Sequence, residues 1–223
     1  MNNDASVFSF ICCVNDEDMY RVCEKHIDAL YVPEGFTVEK IVMKEAKSMV
    51  SGYNEAMRKA KGKYKIYHHQ DAWMIEKRLL YHMISLFEAS EVGMIGVCGT
   101  NNLPPHGVWW DAHQRDLYGV VIEERNTIGV LSFQNPSQRY ERVEAIDGLV
   151  MATQYDLPWD EQFDGWHFYD VSQSSLFQKA GLEVIVPHQD SPWVYHKCGV
   201  EFDQRAYEQY RRQFIMWKLA VRN

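Results

Sequence analysis

The chain lacks the motifs that identify several common classes of enzyme. It has no GxxxxGK[ST] phosphate loop, no GxGxxG, no GxSxG elbow and no HExxH. Their absence disfavours kinases, nicotinamide enzymes, serine hydrolases and zinc proteases. No stretch approaches about 18 consecutive apolar residues, so no segment has the composition of a membrane-spanning helix.

Positive charge is also scarce. The sequence has 23 Lys and Arg residues against 31 Asp and Glu residues, giving a net charge of −8. No basic run stands out, and we therefore expect no nucleic-acid partner. A phosphate-bearing small ligand is still compatible with this charge, because a divalent metal held by carboxylates can neutralise a diphosphate.

The cysteine pattern does not suggest a disulfide framework. The five cysteines are odd in number and form no CxxC pair. Cys12 and Cys13 lie in an apolar run, where a free thiol behaves as a small hydrophobe. The segment MNNDASVF has neither the basic nor the long apolar region of a signal peptide. We therefore expect reduced thiols and a cytoplasmic protein, with peripheral membrane association left open.

The first half of the chain alternates between strand and helix patterns. The apolar run Val7–Val14 is typical of a buried parallel strand. Helical spacing and further short apolar runs follow in turn, giving a βαβαβαβ order. This order predicts an α/β fold with a mostly parallel central sheet and helices on both faces, and ligands at the carboxyl ends of its strands. The predicted segments are strands at 37–43, 64–69 and 92–97 and helices at 51–60 and around 79–87.

The second half is less regular. Residues 100–142 are rich in Pro, Gly and polar residues and predict a long excursion with weak strands near 119–122 and 130–133. A strand is predicted at 143–153 with Gly148 inside it, then a helix at 170–180, a strand at 183–186 and a final helix at about 203–217. Trp109 and Trp110 form either an acceptor wall or lid, or a tryptophan pair packed under a loop.

The segment HHQDAWM, residues 68–74, is the first candidate for chemistry. His69 and Asp71 follow a predicted strand, where an imidazole and a carboxylate can face one ligand. Mg²⁺ and Mn²⁺ prefer carboxylate oxygen, and Mn²⁺ also accepts imidazole. In the alternative interpretation, His68 and His69 pack at the sheet edge and Asp71 caps the next helix.

Two further candidates lie near the C-terminus. Asp170 directly precedes a predicted helix, where it is either an N-cap or a general base aimed into a cleft. His196 follows an aromatic stretch and precedes a glycine. It is either a structural histidine or a metal ligand from the far side of the cleft.

These clusters, in this order, resemble the family 2-type glycosyltransferases with the GT-A fold, and in particular a "glycosyltransferase-like" branch whose metal motif reads HQD. Residues 51–74, SGYNEAMRKAKGKYKIYHHQDAWM, are similar to the family's helix, strand and acidic motif. Residues 146–170, IDGLVMATQYDLPWDEQFDGWHFYD, resemble its Asp-Gly strand and catalytic acid. The resemblance covers about Val7 to Gly199. It departs from the family's pattern at His69 and Tyr169, where the family usually has an Asp and a Glu.

The resemblance implies a single domain over 1–223. Residues 1–99 would form a nucleotide-binding half, 100–199 an acceptor and catalytic half, and 200–223 a C-terminal helix. The implied activity is metal-dependent transfer of a sugar, with inversion, from a nucleotide-sugar donor to a hydroxyl of a glycan or other acceptor. UDP is the family's commonest nucleotide. The implied roles are Asp71 for Mn²⁺ or Mg²⁺, with His69 and His196 compensating for the missing carboxylate; Asp170 as general base; and Asn15, Asp16, Ser51, Asn54, Asp147 and Gly148 around the donor.

Two other functions stay open at this point. A sugar nucleotidyltransferase would need a glycine-rich loop with Arg or Lys just after the first strand, and residues 12–21, CCVNDEDMYR, contain no glycine. A carbohydrate- or nucleotide-binding module without activity is compatible with the altered acidic motifs. Turnover in the presence of Mn²⁺ separates this module from a transferase.

Overall fold

The apolar run Val7–Val14 lies in the first strand of the protein, which is second from one edge of the main sheet. A computed structural model describes residues 3–199 and 203–221. The first two residues, residues 200–202 and residues 222–223 lie outside this description, including both ends of the predicted 200–223 segment. In chain order the strands are β1 (Asp4–Val14), β2 (Thr37–Lys44), β3 (Gly62–His68), β4 (Ala72–Met74), β5 (Val92–Gly96), β6 (Cys98–Thr100), β7 (Leu117–Glu124), β8 (Ile128–Ser132), β9 (Tyr140–Arg142), β10 (Ala145–Ile146), β11 (Val150–Thr153), β12 (Glu183–Pro187) and β13 (Val194–Lys197).

Several helices begin at side chains that cap them. Asp16 accepts a hydrogen bond from the Met19 amide, and Ser48 and Ser51 form a reciprocal capping box, which satisfies backbone donors that a helix start leaves free. The helices are α1 (Glu17–Asp28), α2 (Met49–Lys59), α3 (Leu79–Phe87), α4 (Tyr169–Lys179) and α5 (Gln204–Val221), with short 3-10 helices at Trp109–Asp111 and Gln114–Asp116.

Among the described residues, seven strands form the main sheet in the order β2-β1-β3-β11-β5-β12-β9. β1 pairs in parallel with β2 and β3, and β12 pairs in parallel with β5, but β11 runs antiparallel to both β3 and β5. The predicted α/β sheet is therefore confirmed, and it is mixed rather than purely parallel: among the described strands, β2, β1, β3, β5 and β12 run in one direction and β11 and β9 run in the other. The alternating pattern of the first half gives no sign that a strand from the second half inserts between β3 and β5.

Helices cover both faces of this sheet, as predicted. Successive side chains of a strand point to opposite faces. Tyr64 of β3 stacks on Phe87 of α3, whereas Tyr67 packs on Tyr53 of α2. Tyr53 in turn contacts Tyr169 of α4. The buried core therefore lies on both sides of the sheet at β3.

The predicted strand at 143–153 is two strands in different sheets. β10 pairs with β6 in a second sheet of order β10-β6-β7-β13-β4, and β11 joins the main sheet. The break falls at residues 147–149, where the Asp147 amide bonds to Cys98 O at 3.0 Å and the His69 amide bonds to Leu149 O at 3.2 Å. This crossing brings Asp147 to the carboxyl end of β3.

The other strands and helices predicted from the sequence are present, with ends that differ by a few residues. The weak strands of the 100–142 excursion are β7 and β8, and the final helix extends to Val221. All five cysteines are free. Within residues 3–199 and 203–221, no helix combines the length and hydrophobicity needed to cross a membrane.

Candidate active site

Three predicted metal ligands come together beyond the end of β3. β3 ends at His68, a turn carries Asp71, and β4 pairs antiparallel with β13, so that His196 lies opposite Ala72. The Lys197 amide donates to Asp71 O at 2.8 Å, which fixes the register. One ligating atom from each of His69, Asp71 and His196 lies within 4.8 Å of the others. The geometry therefore matches a three-ligand metal site.

The electrostatics of this group favour an ionised carboxylate. Asp71 Oδ1 lies 3.9 Å from His69 Nδ1, and Asp71 Oδ2 lies 3.6 Å from His196 Nε2. Burial opposes ionisation of Asp71, but the hydrogen bond from His196 and the nearby imidazoles outweigh it and lower its pKa. Burial lowers the pKa of His69, which favours the neutral imidazole that ligates metals.

Each histidine is held by a second partner. His69 Nε2 shares a hydrogen bond with the Tyr169 hydroxyl, leaving Nδ1 toward Asp71. His196 Nδ1 faces Cys198 Sγ at 3.2 Å and Glu123 at 3.8 Å. Partners of this kind fix the orientation of ligating imidazoles. Tyr169 stands where the family's usual Glu was expected, and its contact with His69 could not be read from the sequence.

Asp147 and Asp170 form a second acidic group next to the first. Asp147 accepts from the Trp109 indole at 3.1 Å and from the Leu149 amide at 2.8 Å. Asp170, in the first turn of α4, accepts from the Gly148 amide at 3.1 Å. A Cβ at position 148 would lie 2.7 Å from Tyr169 Cζ, so a larger residue there would have to displace the Tyr169 ring.

Asp170 has the acid–base properties of a proton acceptor. Burial raises its pKa to about 7, the Asp147 charge adds to the increase, and backbone donors oppose it. A general base is most effective when its pKa lies near the working pH. Asp170 is the second residue of α4 and not its N-cap, which is Phe168 and makes no side-chain cap bond.

The backbone is strained at two positions near the site. Among the described non-glycine residues, φ is positive only at Glu45, 57°, and Phe168, 63°. Such conformations persist where surrounding structure enforces them, and they concentrate at functional sites. Phe168 is buried against Tyr207 and Phe214, with ring centroids 5.0 and 5.7 Å away, and it precedes the catalytic candidate Asp170 by two residues. Neither position is a residue type that signals positive φ in a sequence.

Three cavities meet at this edge of the sheets. The first-strand cavity, of about 410 Å³, lies past β1 and β2 and includes Asn15, Glu45, His69, Asp71 and Trp166 in its lining. The central cavity, of about 140 Å³, includes His69, Asp147, Tyr169 and Asp170. The apolar cavity, of about 680 Å³, includes Asp147 and His196. Trp109 and Trp110, predicted as an acceptor wall, line both the central and the apolar cavity.

Asn15 and Asp16 lie in the turn between β1 and α1. Gln70 holds this turn, because its side-chain oxygen accepts from both the Asn15 and Asp16 amides at 3.0 Å. Asp16 also caps α1. Asn15 lines the first-strand cavity. Gln70, the middle residue of the HQD motif, thus couples the β1 turn to the loop that carries Asp71.

Ser51 and Asn54 have structural partners inside the fold. Ser51 belongs to the capping box of α2. Asn54 is buried, and its amide both donates to and accepts from the Trp159 backbone at 2.9 Å. Neither residue is among the described residues that line the three cavities. The donor-binding roles of Asn15, Asp16, Ser51, Asn54, Asp147 and Gly148 stay predictions.

Comparison with known proteins identifies the family. The model of the "Glycosyltransferase like family" matches residues 9–217. The chain belongs to this family. No curated protein sequence matches it significantly.

The fold resembles that of solved glycosyltransferases. S. aureus TarS residues 1–349 in complex with UDP is 11% identical with a TM-score of 0.58, over 96% of this chain and 64% of that one. The mannosyltransferase PcManGT from Pyrobaculum calidifontis, in complex with GDP-Man and Mn²⁺, is 14% identical with a TM-score of 0.55, over 98% and 64% of the two chains. The chain thus spans less than two thirds of these structures. The predicted α/β fold of the GT-A type is confirmed.

Proposed function

We propose that the protein is a metal-dependent glycosyltransferase that moves a sugar from a nucleotide-sugar donor to an acceptor hydroxyl with inversion. The observation that carries this proposal is that two acidic groups whose carboxyl pKa values are shifted in opposite directions lie next to each other. The Asp71 group, with a lowered carboxyl pKa, and the Asp170 group, with a raised one, are joined through the His69–Tyr169 hydrogen bond. Membership of the glycosyltransferase-like family supports the reaction class.

The donor is proposed to occupy the first-strand cavity with its diphosphate at Asp71. The described residues lining this cavity include Glu45 and Asp71 but no Lys or Arg. A diphosphate there needs another source of positive charge, which supports metal dependence. A fold relative was solved with GDP-Man and Mn²⁺, and another with UDP-GlcNAc. A UDP-sugar is our proposed donor.

The ligand set fits a divalent cation. It offers one carboxylate and two imidazoles, and Mn²⁺ accepts both types whereas Mg²⁺ prefers oxygen. His69, Asp71 and His196 would hold the ion. Bound there, it supplies positive charge that stabilises the leaving diphosphate. Tyr169 and Glu123 keep the two imidazoles oriented toward Asp71.

Asp170 is proposed to take the proton from the acceptor hydroxyl as that oxygen attacks the anomeric carbon. The Asp147 carboxylate next to it raises its affinity for that proton. Asp147 Oδ2 accepts a hydrogen bond from the Trp109 indole, and Oδ1 accepts one from the Leu149 amide. These two hydrogen bonds hold the carboxylate in place, so that it does not act as a nucleophile. A reaction with one base and no covalent intermediate inverts the anomeric configuration of the transferred sugar. NMR of the product's anomeric proton tests this outcome.

The first experiment measures thermal stability with a panel of UDP-, GDP-, CDP- and TDP-sugars, with and without Mn²⁺. A ligand at about 100 times its Kd stabilises a protein by about 2.7 kcal/mol. We expect a Mn²⁺-dependent shift with one nucleotide that is absent in Asp71→Asn and retained in Asp18→Asn, a surface control whose side chain is 86% exposed. No shift with any donor would sink the metal–diphosphate site. A shift without turnover would identify a binding module.

A further inference from the structure

The apolar cavity has walls of a different chemistry from the other two. It lies beside the second sheet, between β6, β7, β8 and β13 and the segment that carries Trp109, and its volume is about 680 Å³. Leu117, Val121 and Leu149 contribute buried aliphatic side chains, each at most 2% exposed. Pockets for small organic molecules have volumes of roughly 300–1,000 Å³ and mostly apolar linings. The cavity therefore has the size and surface of a binding site for an apolar group.

Aromatic side chains complete the wall toward the catalytic residues. Trp109 meets Trp110 and Phe133 edge to face, with centroids 5.7 and 5.9 Å apart. The Trp109 indole N–H is already bound to Asp147 and is therefore not free to pair with a ligand in the cavity. A sugar lodged against the aliphatic side would leave hydroxyls without partners, which costs free energy. An alkyl or aromatic group meets no such penalty.

The charges at this cavity also disfavour an anionic group. Arg125 Nε lies 3.7 Å from Glu123 Oε2, so that these two lining charges offset each other. The other charged lining residue is Asp147, with His196 beside it. A phosphate would meet no uncompensated cation among the described lining residues.

The apolar cavity shares lining residues with the central cavity, which contains the proposed reaction centre. Asp147, Trp109 and Trp110 line both the apolar and the central cavity, and Asp170 lies in the central one. A molecule that fills the apolar cavity can therefore extend a hydroxyl past Asp147 to Asp170. We propose that the acceptor carries its hydroxyl, directly or through a sugar, on an apolar alkyl or aromatic body that this cavity binds. The inference rests on the proposed function.

A homologous series of ligands tests the apolar site without donor or metal. Methyl, butyl and octyl β-glucoside share one polar head and differ only in chain length, and calorimetry below their micelle concentrations gives their affinities. Each methylene that enters the cavity is expected to tighten binding about fourfold. Equal affinity along the series would overturn the proposal. Because the titration contains no nucleotide and no Mn²⁺, its result is independent of the metal–diphosphate site.

Two neighbouring residues on β8 provide matched variants. Leu131 lines the cavity, whereas Val130 points to the opposite face of the strand and is 62% exposed. Leu131→Asp is expected to abolish the chain-length dependence, and Val130→Asp to keep it. Leu131→Trp narrows the cavity without adding charge and is expected to weaken octyl glucoside more than methyl glucoside. This variant provides a second test if the charged variant does not fold. Equal behaviour of the position 130 and 131 variants would refute the assignment of the alkyl chain to this cavity.

Discussion

The raised pKa of Asp170 makes stability and activity respond oppositely to one substitution, Asp170→Asn. The side-chain shape is preserved, and the amide oxygen can still accept from the Gly148 amide, now 3.1 Å from Asp170 Oδ2. The substitution also removes the Coulombic repulsion from Asp147. The folded state therefore loses a buried charge and keeps the hydrogen bond from the Gly148 amide.

The size of the effect follows from proton linkage. Burial and the Asp147 charge raise the pKa of Asp170 from 3.8 to about 7. Between these values the folded protein holds a proton that the unfolded chain has released, so the wild type loses stability as pH rises through about 4 to 7. At about 1.36 kcal/mol per tenfold change in proton affinity, the loss approaches roughly 4 kcal/mol at pH 8. Asp170→Asn has no such titration. In a chain of this length, the stability that Asp170→Asn gains over the wild type at pH 8 corresponds to about 10 °C in melting temperature.

The assay is chemical denaturation of wild type, Asp170→Asn and the exposed control Asp18→Asn at pH 4.5 and pH 8. Asp170→Asn is expected to exceed wild type by roughly 4 kcal/mol at pH 8 and by only about 1 kcal/mol at pH 4.5, while turnover falls by roughly 10²- to 10⁴-fold. For the wild type, kcat/KM is expected to rise with pH through about 7 as Asp170 loses its proton. A stability difference that is the same at both pH values would refute the assigned burial of Asp170.

Three further substitutions test the surroundings of the site and the core. Tyr169→Phe removes the hydroxyl that orients His69 and is expected to weaken Mn²⁺ binding about 10- to 100-fold by calorimetry; unchanged affinity would contradict this role. Gly148→Ala places a Cβ 2.7 Å from Tyr169 Cζ and is expected to lower unfolding free energy by about 1–3 kcal/mol in urea, so a neutral effect would count against the packing. Lys65→Met breaks a buried ion pair with Asp156, 2.7 Å long, and is expected to cost about 3 kcal/mol, part of which the added Asp156→Asn should restore.

The first half of the fold was predictable because its signals are local. The apolar run of β1, the Asp16 cap and the helical spacing after it each depend on residues close in sequence. The site residues after β1 and β3 followed from the rule that parallel strands expose their carboxyl ends at one edge. For the same reason His69 and Asp71 could be predicted as site residues without knowledge of their neighbours.

What was missed depends on contacts between distant segments. The strand predicted at 143–153 is mostly apolar, and no periodicity marks where β10 leaves one sheet and β11 enters another. β13 is four residues long, and only its pairing with β4 brings His196 to Asp71. Asn54 lies in a motif that matches the family, yet its amide is bound to the Trp159 backbone. A sequence pattern identifies the residue but not the partner that occupies its side chain.

The two acidic groups divide the tasks of the proposed reaction through their surroundings alone. Asp71 faces two imidazoles, which keep it ionised as a metal ligand requires, whereas Asp170 is buried beside another carboxylate, which makes it basic enough to accept a proton. Environments that separate the pKa values of two similar groups assign them different roles. The described residues that line the central and first-strand cavities include no Lys or Arg, whose positive charge beside Asp147 would lower the pKa of Asp170 and weaken it as a base.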